Sequence, residues 1–195
     1  MRRGLAGLLL PALATVCLTG CASQNSPVTD PPLCESHGPG ASNAVILMAQ
    51  SVPTAAWVPC ISTALPLGWN FHHLVARNGI SQFWLDSDRD GQQAVEIRLT
   101  ESCDTRGASE IPSDRVGMRR LERVGRTSPT YQGARYYLFH GGCLTVVFAL
   151  DGEDAGEALA LASQVVGVVA RTDLQAQVRQ ESGGRLNLDP AGGDG

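Results

Sequence analysis

The chain has 195 residues, 43% of them hydrophobic and 17% charged, with a formal net charge of −4 and a mean hydropathy of −0.03. That length holds one ordinary domain with a real core. The acid excess excludes a nucleic-acid partner, and no window after the first 20 residues is long and apolar enough to span a bilayer.

Residues 1–20 have the three parts of a secretory signal: the cationic start Arg2-Arg3, an apolar run over residues 5–16 that includes Pro11, and the small-residue end Leu18-Thr19-Gly20 before Cys21. The run is well short of the roughly 20 residues a spanning helix needs, which predicts a cleaved leader instead of a retained anchor. A small residue before a cysteine at the end of such a signal is a lipobox. On these residues the start of the chain resembles bacterial prolipoproteins; the resemblance covers about the first 21 residues. It implies that Cys21 becomes the mature N-terminus, carrying a diacylglyceryl group and palmitate-type acyl chains. Two or more chains give stable anchoring. The implied location is the cell membrane, lipid-anchored and facing the extracytoplasmic side. From Cys21 onward thirteen arginines oppose nineteen acids, a net charge of −6, and there is no lysine. With the abundant Ala, Gly, Val and Arg, that composition is actinobacterial-like.

Residues 21–33 follow as a polar, proline-bearing tether with nothing periodic to bury. The single domain is expected over residues 34–181. Residues 43–50 are an apolar block whose period leaves helix and strand open, stopped by Pro53. Residues 53–63 read as a short helix begun by proline and bent or ended near Pro59. From Trp69 the period becomes two: Trp69, Phe71, His73 and Val75 share one face of a strand ending at Asn78-Gly79, a hairpin signal. Residues 80–85 return from it. Residues 94–100 follow with Val95, Ile97 and Leu99 on one face and Glu96 and Arg98 on the other, the alternation of an antiparallel sheet with one wet face. Residues 118–124 form another strand, and residues 134–140 and 143–150 two more joined at Gly141-Gly142. Acids within residues 151–154 suit a helix start, and a long helix is predicted over residues 153–180, ended by Gly183-Gly184. Residues 182–195, rich in glycine, are expected to be a disordered tail. The expected fold is α+β: an antiparallel sheet of about five or six strands with the long C-terminal helix packed on it.

Of the six cysteines, Cys17 leaves with the leader and Cys21 takes lipid. Cys34, Cys60, Cys103 and Cys143 remain, an even number that reads as two disulfides in an exported chain, with three possible pairings. Cys34 with Cys60 and Cys103 with Cys143 is the favoured pairing, because each bond then staples one contiguous segment. None of the four has the close spacing of a zinc site.

Asp86, Asp88 and Asp90, followed by Gly91, resemble the opening of a calcium loop of the EF-hand family. That family's twelfth position needs a bidentate Glu, and Ile97 stands there, so a hairpin turn is the better reading of the same residues. His72 and His73 are strand neighbours and point to opposite faces unless a bulge intervenes. His37 and His140 are isolated in sequence, and no metal or nucleophile motif includes any histidine. Arg115, Arg119, Arg120, Arg123, Arg126 and Arg135 form a local basic cluster that could face lipid head groups, an anionic wall polymer or an acidic partner, or could form a solvated strand face paired with acids. Trp57, Trp69 and Trp84 are assigned to the core.

These readings lead to a non-enzymatic, lipid-anchored binding or sensing domain of the bacterial cell envelope. It would reach the membrane through its N-terminal lipid, with an envelope protein, anionic lipid or wall polymer as partner and with no cofactor. Two alternatives stand beside it. One is an envelope enzyme whose site is assembled from scattered residues such as His37, His72 or His140; the other is a small carrier of lipid or another amphiphile.

Overall fold

Glycine-marked hairpins organise the structure, a computed structural model that describes residues 28–35, 40–62 and 64–189. The leader, Cys21, His37 and residues 190–195 lie outside the described residues. In chain order the elements are α1 (Asn43–Ser51), β1 (Trp57–Ile61), β2 (Trp69–Arg77), β3 (Ile80–Ser87), β4 (Gly91–Thr100), β5 (Ser109–Ile111), β6 (Arg119–Arg126), β7 (Tyr131–Phe139), β8 (Gly142–Leu150), α2 (Ala155–Val165), β9 (Val166–Ala170) and α3 (Arg171–Glu181). Strands β2 to β8 make one antiparallel sheet in the order β2-β3-β4-β8-β7-β6-β5, and β1 pairs antiparallel with β9 in a separate ribbon. The main sheet thus has seven strands. The extra one, β5, is a three-residue edge strand, too short to leave a period in the sequence.

Alternation gives the sheet two unlike faces. Val95, Ile97 and Leu99 of β4 and Leu144, Val146, Phe148 and Leu150 of β8 turn one way. There they are buried with Val45 and Met48 of α1, Val58 of β1, Ala162 and Val165 of α2, and Leu174 of α3. Side chains fill the space between the sheet and the α1–α3 and β1·β9 layer. Each buried Val, Leu, Ile, Phe or Met among them contributes about 1.5–3 kcal/mol.

Several expectations are corrected. The predicted helix over residues 153–180 is interrupted: Val166–Ala170 is a strand, flanked by α2 and α3. Its β-branched valines favour extended backbone. Gly167 lets it lie against β1, since a Cβ there would stand 2.6 Å from Cys34 Sγ and 2.8 Å from Ser62 Cβ. The predicted short helix over residues 53–63 is instead strand β1, with Pro59 opposite Val168. A two-stranded ribbon has only edge strands, so the missing N–H of proline is tolerated there. The expected tether over residues 21–33 is drawn into the domain from Val28, which exchanges backbone hydrogen bonds of 2.9 and 3.0 Å with Leu74 on the free edge of β2. The expected tail begins later than Ser182. Leu188 is buried in the core, and the Asp189 N–H donates to Gln50 Oε1 at 2.9 Å. The β7–β8 turn is His140-Gly141, with Phe139 paired to Gly142. A Cβ on Gly141 would meet the Thr54 carbonyl oxygen at 1.9 Å.

The two disulfides form with the contiguous pairing, Cys34–Cys60 and Cys103–Cys143, their Cα atoms 5.0 and 5.8 Å apart. No helix among the described residues is long and apolar enough to cross a membrane.

Candidate functional site: the open face of the sheet

The face of the sheet turned away from the helices carries the candidate site. Register sets its side chains in three cross-strand rows over β3, β4, β8, β7 and β6: Trp84-Glu96-Val147-Ala134-Arg123, Gln82-Arg98-Thr145-Tyr136-Leu121 and Ile80-Thr100-Cys143-Leu138-Arg119. No helix residue joins the small apolar cluster on this side. Its core is Ala134, Tyr136 and Cys143, covered by Cys103 and Ala108 of the β4–β5 loop. The Cys103–Cys143 bond fastens that loop onto the sheet. Beside the loop lies a groove of about 410 Å³, lined by Arg98, Thr100, Ser102, Asp104, Arg123 and Gln132 around a floor of Ala134, Thr145 and Val147. Its volume falls in the ~300–1,000 Å³ range of small-ligand sites.

At the β2–β3 corner of the same face, the sheet register shifts between Phe71 and Leu74. This bulge puts His72 and His73 both outward, where plain alternation would have parted them. His72 donates from Nδ1 to Asp86 Oδ2 at 2.9 Å. His73 stacks on Trp84 with ring centroids 4.4 Å apart, and the two imidazoles are 4.7 Å apart. Burial first, then the neighbouring His72, lowers the pKa of His73, and Asp86 opposes the shift. Among the described residues, no serine or cysteine hydrogen-bonds either ring. His140 sits in the β7–β8 turn, at the Cys143–Thr100–Ile80 end of the sheet and remote from the Asp86 end that holds His72. Trp84 lies outward on this face, whereas Trp69 is buried in the core and Trp57 is partly buried against it.

Asp86, Asp88 and Asp90 fasten the β3–β4 turn. Asp86 Oδ1 accepts from the Gln93 N–H at 2.7 Å. Buried Asp90 accepts from Ser87 Oγ at 2.7 Å and from the Gly152 N–H at 3.1 Å, and the Asp88 N–H donates to the Gly68 carbonyl at 2.8 Å. Among the described residues no three His, Cys, Asp or Glu side chains converge on a metal position.

The six arginines divide between the faces. On the helix side Glu122 accepts from Arg135 Nε at 2.5 Å and from Arg120 Nε at 3.2 Å; Arg135 also donates to Ser163 of α2 at 2.8 Å. Arg115 lies over the Tyr137 ring and donates to the Val166 carbonyl. On the open side Arg119 pairs with Glu110 at 2.7 Å, Arg123 lies over Tyr136, and Arg126 is the register partner of Gln132.

No family model, curated protein or solved structure matches this chain. The functional reading therefore rests on the groove and its surroundings. Arg98, Thr145, Gln132 and Tyr136 belong to it although nothing in the sequence singles them out. The alternation of β4, β7 and β8 assigns each to the face opposite the apolar stripe, but only the long-range strand order brings them side by side.

Proposed function

We propose that this chain is a lipid-anchored extracytoplasmic binding or sensing domain of the bacterial cell envelope. Cys21 would carry palmitate-type acyl chains in the cell membrane, and the open sheet face would hold the ligand. The observation that carries this reading is the asymmetry of the sheet: one face is packed against three helices and a ribbon, while the other carries no helix and keeps a groove walled by a disulfide-pinned loop. Two disulfides fit an oxidising, exported environment. Cys21 is seven residues from Val28, so full extension would hold the β2 edge within about 25 Å of the lipid.

The enzyme alternative has less support, because His72 and His140 lie at opposite ends of the sheet. The carrier alternative requires an apolar chamber between sheet and helices, where Val45, Met48, Ile97, Leu99 and Leu144 are fully buried in contact. Metabolic labelling with a palmitate analogue, followed by membrane fractionation, tests the anchor. Wild type should label and sediment with membranes, and Cys21→Ala should do neither. Labelled, membrane-bound Cys21→Ala would overturn this reading.

A further inference from the structure

We propose that the groove beside the Cys103–Cys143 loop binds an anionic polyhydroxyl chain, a saccharide or polyol polymer bearing carboxylate or phosphodiester groups. This rests on the open face being the binding face, and it names the chemistry of the occupant.

Charge on this face is nearly all compensated, with one exception inside the groove. Arg98 donates from Nε to Glu96 at 2.9 Å, Arg106 grips both oxygens of Asp104 at 2.6–3.0 Å, and Arg119 grips Glu110 at 2.7 and 3.0 Å. Among the described residues Arg123 has no carboxylate within salt-bridge distance; the nearby Asp104, which feels its charge, is gripped by Arg106 instead. The Arg123 Nη1 donates to the Arg106 carbonyl at 3.1 Å, and its guanidinium lies 5.5 Å from the centroid of the Tyr136 ring. These contacts orient the cation without pairing it to a carboxylate, and among the described residues its Nε and Nη2 have no acceptor. Arg126 follows on the same strand, and among the described residues its side chain hydrogen-bonds Thr130 Oγ1 alone, at 3.4 Å. In a body whose net charge from Cys21 onward is −6, the groove wall formed by β6 is locally cationic. A guanidinium held this way is suited to recognising a carboxylate or phosphate through a charge-assisted bond.

The rest of the lining selects the scaffold that bears the anion. Thr100, Ser102, Gln132 and Thr145 offer hydroxyl and amide groups, while Ala134 and Val147 make a floor of small side chains on which a ring can lie. A phospholipid would present the same anion, but its acyl chains would need a deep apolar slot, and the floor here is the outer surface of a sheet whose strands β4 and β8 bury their other face in the core. A basic partner is disfavoured because Glu96 and Asp104 are already engaged by arginine.

The test is calorimetric titration of the purified full chain in detergent with four probes: polygalacturonate oligomers, the same oligomers methyl-esterified, polyglycerol phosphate, and vesicles of phosphatidylglycerol in phosphatidylcholine. Wild type should bind one or both anionic polymers, the arm that responds identifying carboxylate or phosphodiester, and the affinity should fall with added salt. The esterified oligomers should bind at least tenfold more weakly. Arg123→Gln should lose about tenfold for the anionic polymer, Arg126→Gln less, each with an unchanged melting temperature. Equal binding of acid and ester, or full binding by Arg123→Gln, overturns the proposal; if Val147→Trp still abolishes that binding, the open face remains the binding face. Binding to the vesicles alone, binding that survives Val147→Trp, or failure of every polymer to bind also overturns it. Survival of binding in Val147→Trp removes the open-face reading as well.

Discussion

Glu122→Gln perturbs a partly buried charge network on the helix side of the sheet. Glu122, Arg120 and Arg135 have side-chain exposures of 25%, 17% and 10%, and the carboxylate serves both guanidiniums. Breaking a fully buried pair costs about 3–5 kcal/mol because the partner is left charged and dry. Glu122 retains some solvent, and Arg120 keeps Asp114 at 3.5 Å, so the expected loss is about 2 kcal/mol at neutral pH. For a domain of this size that lowers the melting temperature by roughly 4–8 °C. Burial pushes the Glu122 pKa up, but hydrogen bonds from Arg120 and Arg135 outweigh it and the net shift is downward. A carboxylate with a lowered folded pKa contributes its stability above the unfolded value, near 4.5. That contribution fades as pH falls through the lower folded value. Urea unfolding of wild type and variant should therefore differ most above about pH 5 and converge in acid. The triple variant Arg120→Met, Glu122→Leu, Arg135→Met, which removes the whole network, should lose less than Glu122→Gln. A Glu122→Gln variant within about 0.5 kcal/mol of wild type at pH 7 would mean the network behaves as exposed ion pairs do, refuting this reasoning.

Two glycines should respond with opposite signs. Gly167→Ala places a Cβ against Cys34 Sγ and Ser62 and should cost about 1–3 kcal/mol in a thermal melt. Gly156→Ala, on α2 with nothing within 4 Å of its Cβ, should stabilise by about 0.5 kcal/mol. Reversed signs would reject the β1·β9 contact. Replacing Cys103 and Cys143 together by Ala opens a loop with a sequence separation of 40, worth up to about 3.9 kcal/mol by chain entropy. The melt should shift downward, and amide exchange should rise in residues 101–108 while α1 stays protected; protection of that loop equal to wild type would show that the disulfide does not hold it.

The regular parts of the fold were legible because local signals and the final packing agree. Asn78-Gly79 makes its hairpin, and Val95, Ile97 and Leu99 face the core that their alternation implies. The cysteine pairing followed from parity and contiguity. What stayed hidden depends on contacts distant in sequence. Val166 and Val169 continue an apolar helical stripe on paper, and pairing with β1 beside the disulfide draws this valine-rich segment into a strand. A bulge cannot be read from residue types alone, yet it puts His72 and His73 on one face. The six arginines look like one patch in sequence; strand alternation sends Arg120 and Arg135 inward to Glu122, leaving Arg119, Arg123 and Arg126 on the open side. Val28 joins the sheet through paired backbone bonds to Leu74 and packs on the core, a pairing that no local period signals.

The binding role of the open sheet face is tested most directly by a photo-reactive residue at Gln132, in the groove, compared with one at Arg179, exposed on α3, in the full chain expressed in its native envelope. Irradiation should give covalent adducts of envelope material from position 132 and none from position 179. Adducts from position 179 alone, or equal adducts from both, would contradict a ligand held on the helix-free face.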